Sequence, residues 1–157
     1  MADLPLVVVQ YELYGHVRRS EHWVLAAVTD IETASARVLN IIGGTDTFQF
    51  NAKDVRGMGR SRTYLGGVLV GTVPQNKLPA LEQWVRAIPI HRGQPTWDCQ
   101  NWVIEAIREL RMDNRGIVLK GISEAHIREC LAEEKERAET GESLIHERGF
   151  DMVKKNI

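Results

Sequence analysis

A chain of 157 residues, 43% hydrophobic and 26% charged with a formal net charge of −1, is read as one domain, able to bury roughly two-thirds of its unfolded surface around a single core. Near-neutrality removes the simplest electrostatic argument for nucleic acid or an anionic membrane as the main partner, and the local basic cluster Arg56, Arg60 and Arg62 in "VRGMGRSR" reads as a solvated loop. No run approaches the roughly 18 apolar residues of a membrane helix, and "LPLVVV" lacks the basic flank and cleavage site of a secretory leader, so the expectation is a soluble, cytoplasmic protein without membrane insertion.

In chain order, the first half reads as strands. In "PLVVVQYEL", Val7, Val9, Tyr11 and Leu13 share one face while Leu6 and Val8 lie on the other, the pattern of a strand buried on both sides. "EHWVLAAVTD" repeats it, with His22, Val24, Ala26 and Val28 on one face and Trp23, Leu25 and Ala27 on the other. "ASARVLNIIGG" gives a third strand closed by Gly43 and Gly44. "TFQF" and "RTYLGGVLVGTV" supply two more, the second bent or bulged near Gly66 and Gly67. Short polar turns between them suggest a meander.

The second half reads as helices. Pro79 suits a first helical turn, and Leu81, Trp84, Val85 and Ile88 recur at helical spacing until Pro89. After the loop "IHRGQP", Thr96 or Asp98 can cap the next helix, on which Cys99, Val103, Ile107 and Leu110 form one face. A third helix starts near Ser123, with His126 in place of the preferred Glu of a capping box, and its "EEKER" stretch reads as a solvated face. After Gly141 the chain reads as a short helix or a frayed tail. Strands followed by helices define an α+β class, an antiparallel sheet over about residues 4–75 packed by helices over about 77–140, with a tail from 141 to 157.

Cys99 and Cys130 are the two cysteines; they form no disulfide framework and read as free thiols of a reducing compartment. They are not in a Cys-x-x-Cys arrangement, and His22, His91 and Cys99 lack close metal-ligand spacing, so neither a redox pair, a metal site nor any cofactor is expected. A thiol at a helix start feels unsatisfied N–H groups and the positive end of the macrodipole, which favour thiolate, whereas an adjacent ionised Asp98 opposes this. The sign of the net shift is left open, and a small buried residue closing the helix face accounts for the same spacing. A cysteine nucleophile needs an imidazole within reach and a group to orient it. His22 opens a hydrophobic strand, and Asn40 is the polar residue on the Ala36, Val38, Ile42 face of the next, where an unpaired amide is costly. If these strands are neighbours, imidazole and carboxamide lie side by side. His16, His91, His126, His146 and Cys130 read as ordinary surface or packing residues.

The strand opening "HW", the following strand "RVLNIIGG" and the helix opening "WDCQNWV" together resemble the circularly permuted papain-like fold of lecithin:retinol acyltransferase-type and PPPDE-type proteins, and small fungal proteins with a W-x-C-Q-x-W-V segment. The match spans three short segments within residues 22–103. It implies Cys99 as nucleophile, His22 as base and Asn40 as orienting group; it departs from the pattern in having Asp98 where relatives often carry Asn, and Asn40 where many carry His. The reaction implied is attack of the Cys99 sulfur on an acyl carbon of a small-molecule acyl substrate or peptide. The Cys99 N–H and Gln10 would hold the oxyanion, and Trp97, Trp102 and Tyr64 would line an acyl or peptide groove. The alternative expectation is a binding or scaffold module that keeps the fold without turnover.

Overall fold

The leading strand carries an unbroken apolar run and therefore needs a neighbour on each edge as well as cover on each face. The computed structural model, which describes residues 3–13, 19–112, 115–121, 123–139 and 145–146, supplies both. Strand β1 (Asp3–Glu12) is buried continuously from Leu4 to Gln10. On one side it pairs antiparallel with β2 (Glu21–Asp30), in a ladder without register shifts from Leu6↔Ala27 to Glu12↔Glu21. On the other it pairs antiparallel with β5 (Tyr64–Pro74). Strands β3 (Ser35–Ile42) and β4 (Gln49–Val55) continue outward from β2, so the sheet order is β4-β3-β2-β1-β5-β6. The meander thus holds for β1 to β4, after which the chain returns across the sheet to the free edge of β1.

One strand runs longer than the sequence pattern showed, and the bend expected near Gly66 and Gly67 takes a definite form. The edge strand β4 begins at Gln49 and runs on through "NAKDV", whose Lys53 and Asp54 are exposed; charges of this kind suit an edge that must not recruit another strand. In β5 the bend is a bulge: the β1 partner shifts from Val9↔Gly67 to Tyr11↔Tyr64, with Gly66 at φ +96° absorbing the extra residue.

Three helices follow: α1 (Leu78–Arg86), α2 (Cys99–Met112) and α3 (Glu124–Glu139). Two-residue strands β6 (Val118–Leu119) and β7 (Ile145–His146) both add to β5, β7 in parallel. β7 is the described part of the C-terminal tail. Pro79 sits in the first turn of α1, and Leu81 and Val85, one helical turn apart, are wholly buried. Ser123 caps α3, its Oγ accepting from His126 N–H at 3.1 Å. The architecture is α+β, with helices against an open, largely antiparallel sheet.

Alternation divides the core. Leu6, Val8, Trp23, Leu25 and Leu39 face the helices, while Val7, Val9, Val24, Ala26 and Val38 pack on the opposite face with Met58 and Tyr64. Each such Val or Leu contributes about 1.5–3 kcal/mol by leaving water. The turn after β3 depends on Gly43: at φ +109°, a Cβ there would lie 2.9 Å from Thr47 O. Gly43→Ala is expected to lower the unfolding free energy by about 1–3 kcal/mol, seen as a lower urea midpoint at unchanged slope.

Candidate active site

Helix α2 starts where it does because Asp98 caps it. Its Oδ1 accepts from the N–H groups of Gln100 at 3.0 Å and Asn101 at 3.4 Å, and Asn101 Oδ1 accepts in return from Asp98 N–H at 2.9 Å. This is a reciprocal capping box. Asp98 is held in turn by Arg19, whose Nε donates to Oδ2 at 2.8 Å. The cap takes the N–H groups of the second and third helical residues; that of Cys99, the first, is not among those it takes.

Cys99 packs on the helix side of the sheet and is 4% exposed. The backbone N–H groups of Trp23 and Gln100 lie near enough to its sulfur to favour the thiolate, although the Gln100 N–H is taken by Asp98. The β2–β3 ladder begins at Leu25↔Leu39, so Trp23 lies beyond it. Cys99 lies with Trp23 on the helix face of the sheet, whereas His22, the residue before Trp23, alternates onto the opposite face with Val24. Burial raises the thiol above its ordinary value and the Asp98 charge adds to this, while the two N–H groups and Arg19 oppose it, leaving the group pushed up to about 11. Desolvation therefore outweighs the helix start, and at neutral pH Cys99 is a thiol.

His22 and Asn40 are brought together, with His22 Nε2 and Asn40 Nδ2 3.0 Å apart. Both follow the alternation of the Val24 and Val38 face. Asn40 is 4% exposed and its Oδ1 is buried without a protein hydrogen-bond partner. A half-turn of the carboxamide would present that oxygen to the ring, the acceptor an imidazolium N–H requires. His22 stands opposite Tyr11 in the β1–β2 ladder.

The remaining residues singled out in the sequence are dispersed. Gln10 is on the helix side, 2% exposed, with Nε2 donating to Leu65 O at 2.9 Å and Leu131 O at 2.5 Å. Both amide protons are thus committed, and what it can offer a ligand is its oxygen. Trp102 is wholly buried, tilted against Phe50 with ring centroids 6.0 Å apart, a core position. Tyr64 is buried on the opposite face, edge-on to Tyr11 at 6.1 Å. Trp97 donates from Nε1 to Glu105 at 2.5 Å and meets His91 edge-on at 5.0 Å, fixing the approach to Asp98. Cys130 is buried, as packing required, and its sulfur lies 3.4 Å from His126 Nε2 one helical turn away. His16 lies outside the described residues. Among the described residues, no group of three or more His, Cys, Asp or Glu is placed to hold a metal ion, and no helix is long and apolar enough to cross a membrane.

Beside the α2 start lies a cleft of about 540 Å³ whose walls include Trp23 and Gln100, together with Gln10, Arg19, Arg128 and Lys135. Arg128 comes from α3, over the Trp23 ring at 4.6 Å and donating to Gln100 Oε1 at 2.7 Å. The "EEKER" stretch is therefore only partly a solvated face: Glu134 is wholly buried, and Lys135 and Glu136 line the cleft. Sequence reading missed Arg19 and Arg128 because neither has a motif; only a docked α3 brings them to the same wall.

The class of protein so defined is an α+β domain on an open antiparallel sheet, with a buried thiol in the first turn of a central helix and an imidazole–carboxamide pair across the adjoining strands. Residues 8–118 match a family of unknown function, DUF6540, and the chain belongs to that family. The matched span includes Gln10, His22, Asn40 and Cys99 and ends before α3. Comparison with curated proteins and with solved structures gave no match.

Proposed function

We propose that the protein is a cysteine-dependent acyl-transfer enzyme, a hydrolase or acyltransferase acting on an amide, isopeptide or ester, in which Cys99 is the nucleophile, His22 the base and Asn40 the group that holds its ring. The observation that carries this reading is the 3.0 Å pairing of His22 with Asn40, on the strand whose next residue, Trp23, has its backbone N–H near the Cys99 thiol. The architecture also agrees with the permuted papain-like order, histidine strand before cysteine helix.

Because the resting group is a thiol, the chemistry runs by general-base catalysis instead of through a preformed thiolate–imidazolium pair. His22 takes the proton as sulfur bonds to the acyl carbon, and the resulting oxyanion is held by the Cys99 N–H. The imidazolium then returns the proton to the leaving amine or alcohol as the carbon–heteroatom bond breaks, giving a thioester. Water or an amine or alcohol acceptor attacks this thioester, His22 again carrying the proton, and the thiol is regenerated. The deep burial of Cys99 favours a second reading, a binding module that retains the fold without turnover.

Exposure to p-nitrophenyl esters of graded chain length, followed by intact-mass and peptide mapping, separates the two. Acyl transfer predicts one adduct, on Cys99; absence of any adduct over the whole series selects the binding module. Iodoacetamide adds a check on protonation: with the thiol at about 11, alkylation of Cys99 should rise about tenfold per pH unit from pH 7 to 10. A plateau starting below pH 7 would replace the general-base step by an ion pair.

A further inference from the structure

The cleft beside Cys99 has no role in the acyl-transfer chemistry as derived. We propose that it seats a zwitterionic, amino-acid-type part of the substrate, a group carrying both an ammonium and a carboxylate as a free amino acid or dipeptide does. The inference rests on the acyl-transfer reading only for the identity of the neighbouring nucleophile.

The lining carries both signs of charge: Arg19, Arg128 and Lys135 against Glu21 and Glu136. The side chains are already cross-paired, Arg19 to Asp98 at 2.8 Å, Arg128 Nε to Glu124 at 3.0 Å and Lys135 to Glu21 at 3.2 Å. A ligand with a single charge would take one partner out of a pair and strand the other, which is costly in a partly buried wall. A ligand with two opposite charges can exchange with a pair and leave every charge matched.

Arg128 is the anchor for the carboxylate. Its guanidinium is stacked over Trp23 and fixed by Gln100 and Glu124, so its planar fork is oriented before a ligand arrives. Glu21 and Glu136 are the matching anions for the ammonium. Gln10, nine-tenths buried and with both amide protons spent on Leu65 and Leu131 carbonyls, adds its side-chain oxygen as an acceptor for an amide or ammonium N–H. The apolar part of the lining is Trp23, Leu131 and Ala132, too little to bury a long acyl chain. A cleft of about 540 Å³ is within the range of small-molecule sites, and its walls include Gln100, the residue after Cys99, while Cys99 itself is not part of the lining.

The experiment is isothermal titration of Cys99→Ala protein with L-alanyl-L-alanine, its N-acetyl form, which is an anion, and its C-terminal amide, which is a cation. The zwitterion should bind at least about tenfold more tightly than either blocked form. Arg128→Gln should weaken the zwitterion and the N-acetyl form by about tenfold or more while leaving the amide unchanged, and the more exposed Lys135→Gln gives a second variant should Arg128→Gln fail to fold. Equal affinity for the three ligands, or no binding by any of them at millimolar concentration, overturns the proposal. Since Cys99→Ala cannot form a thioester, this outcome is independent of ester acylation of the wild-type thiol, which tests the acyl-transfer reading alone.

Discussion

Acylation of Cys99 by an activated ester is expected to fall by about 10²–10⁴-fold when His22 is replaced by alanine, the range a positioned general base contributes. The size of the effect follows from the state of the thiol. A group pushed up to about 11 by burial exposes almost no thiolate at neutral pH, so attack must be coupled to removal of its proton. The same replacement in a protein with a preformed thiolate would cost far less. Asn40→Ala should give a smaller loss, about tenfold, because the base remains but its ring loses the partner at 3.0 Å. Single-turnover acylation rates followed by mass spectrometry provide the readout. Cys130→Ala serves as the control, since Cys130 with its own imidazole neighbour, His126 at 3.4 Å, is the one other thiol. A wild-type rate in His22→Ala would remove His22 as the base and leave Cys99 reacting without it.

What could be read before folding follows from how local each determinant is. The boundaries of β2 (Glu21–Asp30) are legible because alternation and flanking charges lie within ten residues. The adjacency of His22 and Asn40 follows once two strands with a short turn between them are paired. The helix start at Cys99 is equally local, although the choice between Thr96 and Asp98 as cap was settled by Asp98 Oδ1 reaching two backbone N–H groups. The return of β5 to the edge of β1 is a different matter. Its apolar strand pattern would pair as well with β4, and what decides is that β1, buried from Leu4 to Gln10, must not present an open edge. The sign of the Cys99 shift is also non-local, a balance of burial against two N–H donors that no spacing encodes. The cleft is the least legible feature, being assembled from Gln10, Arg19, Gln100 and Arg128 on separate elements.

The raised proton affinities of buried Cys99 and the tyrosines carry a consequence for stability that is separable from catalysis. An acid whose folded value lies above its unfolded one binds more protons when folded, so its contribution is complete below the unfolded value and is lost as pH climbs to the folded one. For Cys99 the window runs from about 9 to about 11, and two units correspond to about 3 kcal/mol. Tyr11, half-buried, is pushed up by desolvation to about 12 from about 10 and begins to contribute above pH 10. Tyr64, raised by burial and by the Glu134 charge, acts in the same direction. Between pH 8 and pH 11 the wild-type protein is therefore expected to lose at least about 3 kcal/mol, measured as unfolding free energy in urea. Cys99→Ala should be less stable than wild type at pH 8, because removing the sulfur leaves a small cavity, yet lose about 2 kcal/mol less over the same interval. The difference between the two pH slopes isolates the thiol from the tyrosines. Parallel slopes would mean that Cys99 is already solvated or ionised in the folded protein, and the general-base role assigned to His22 would then lack its premise.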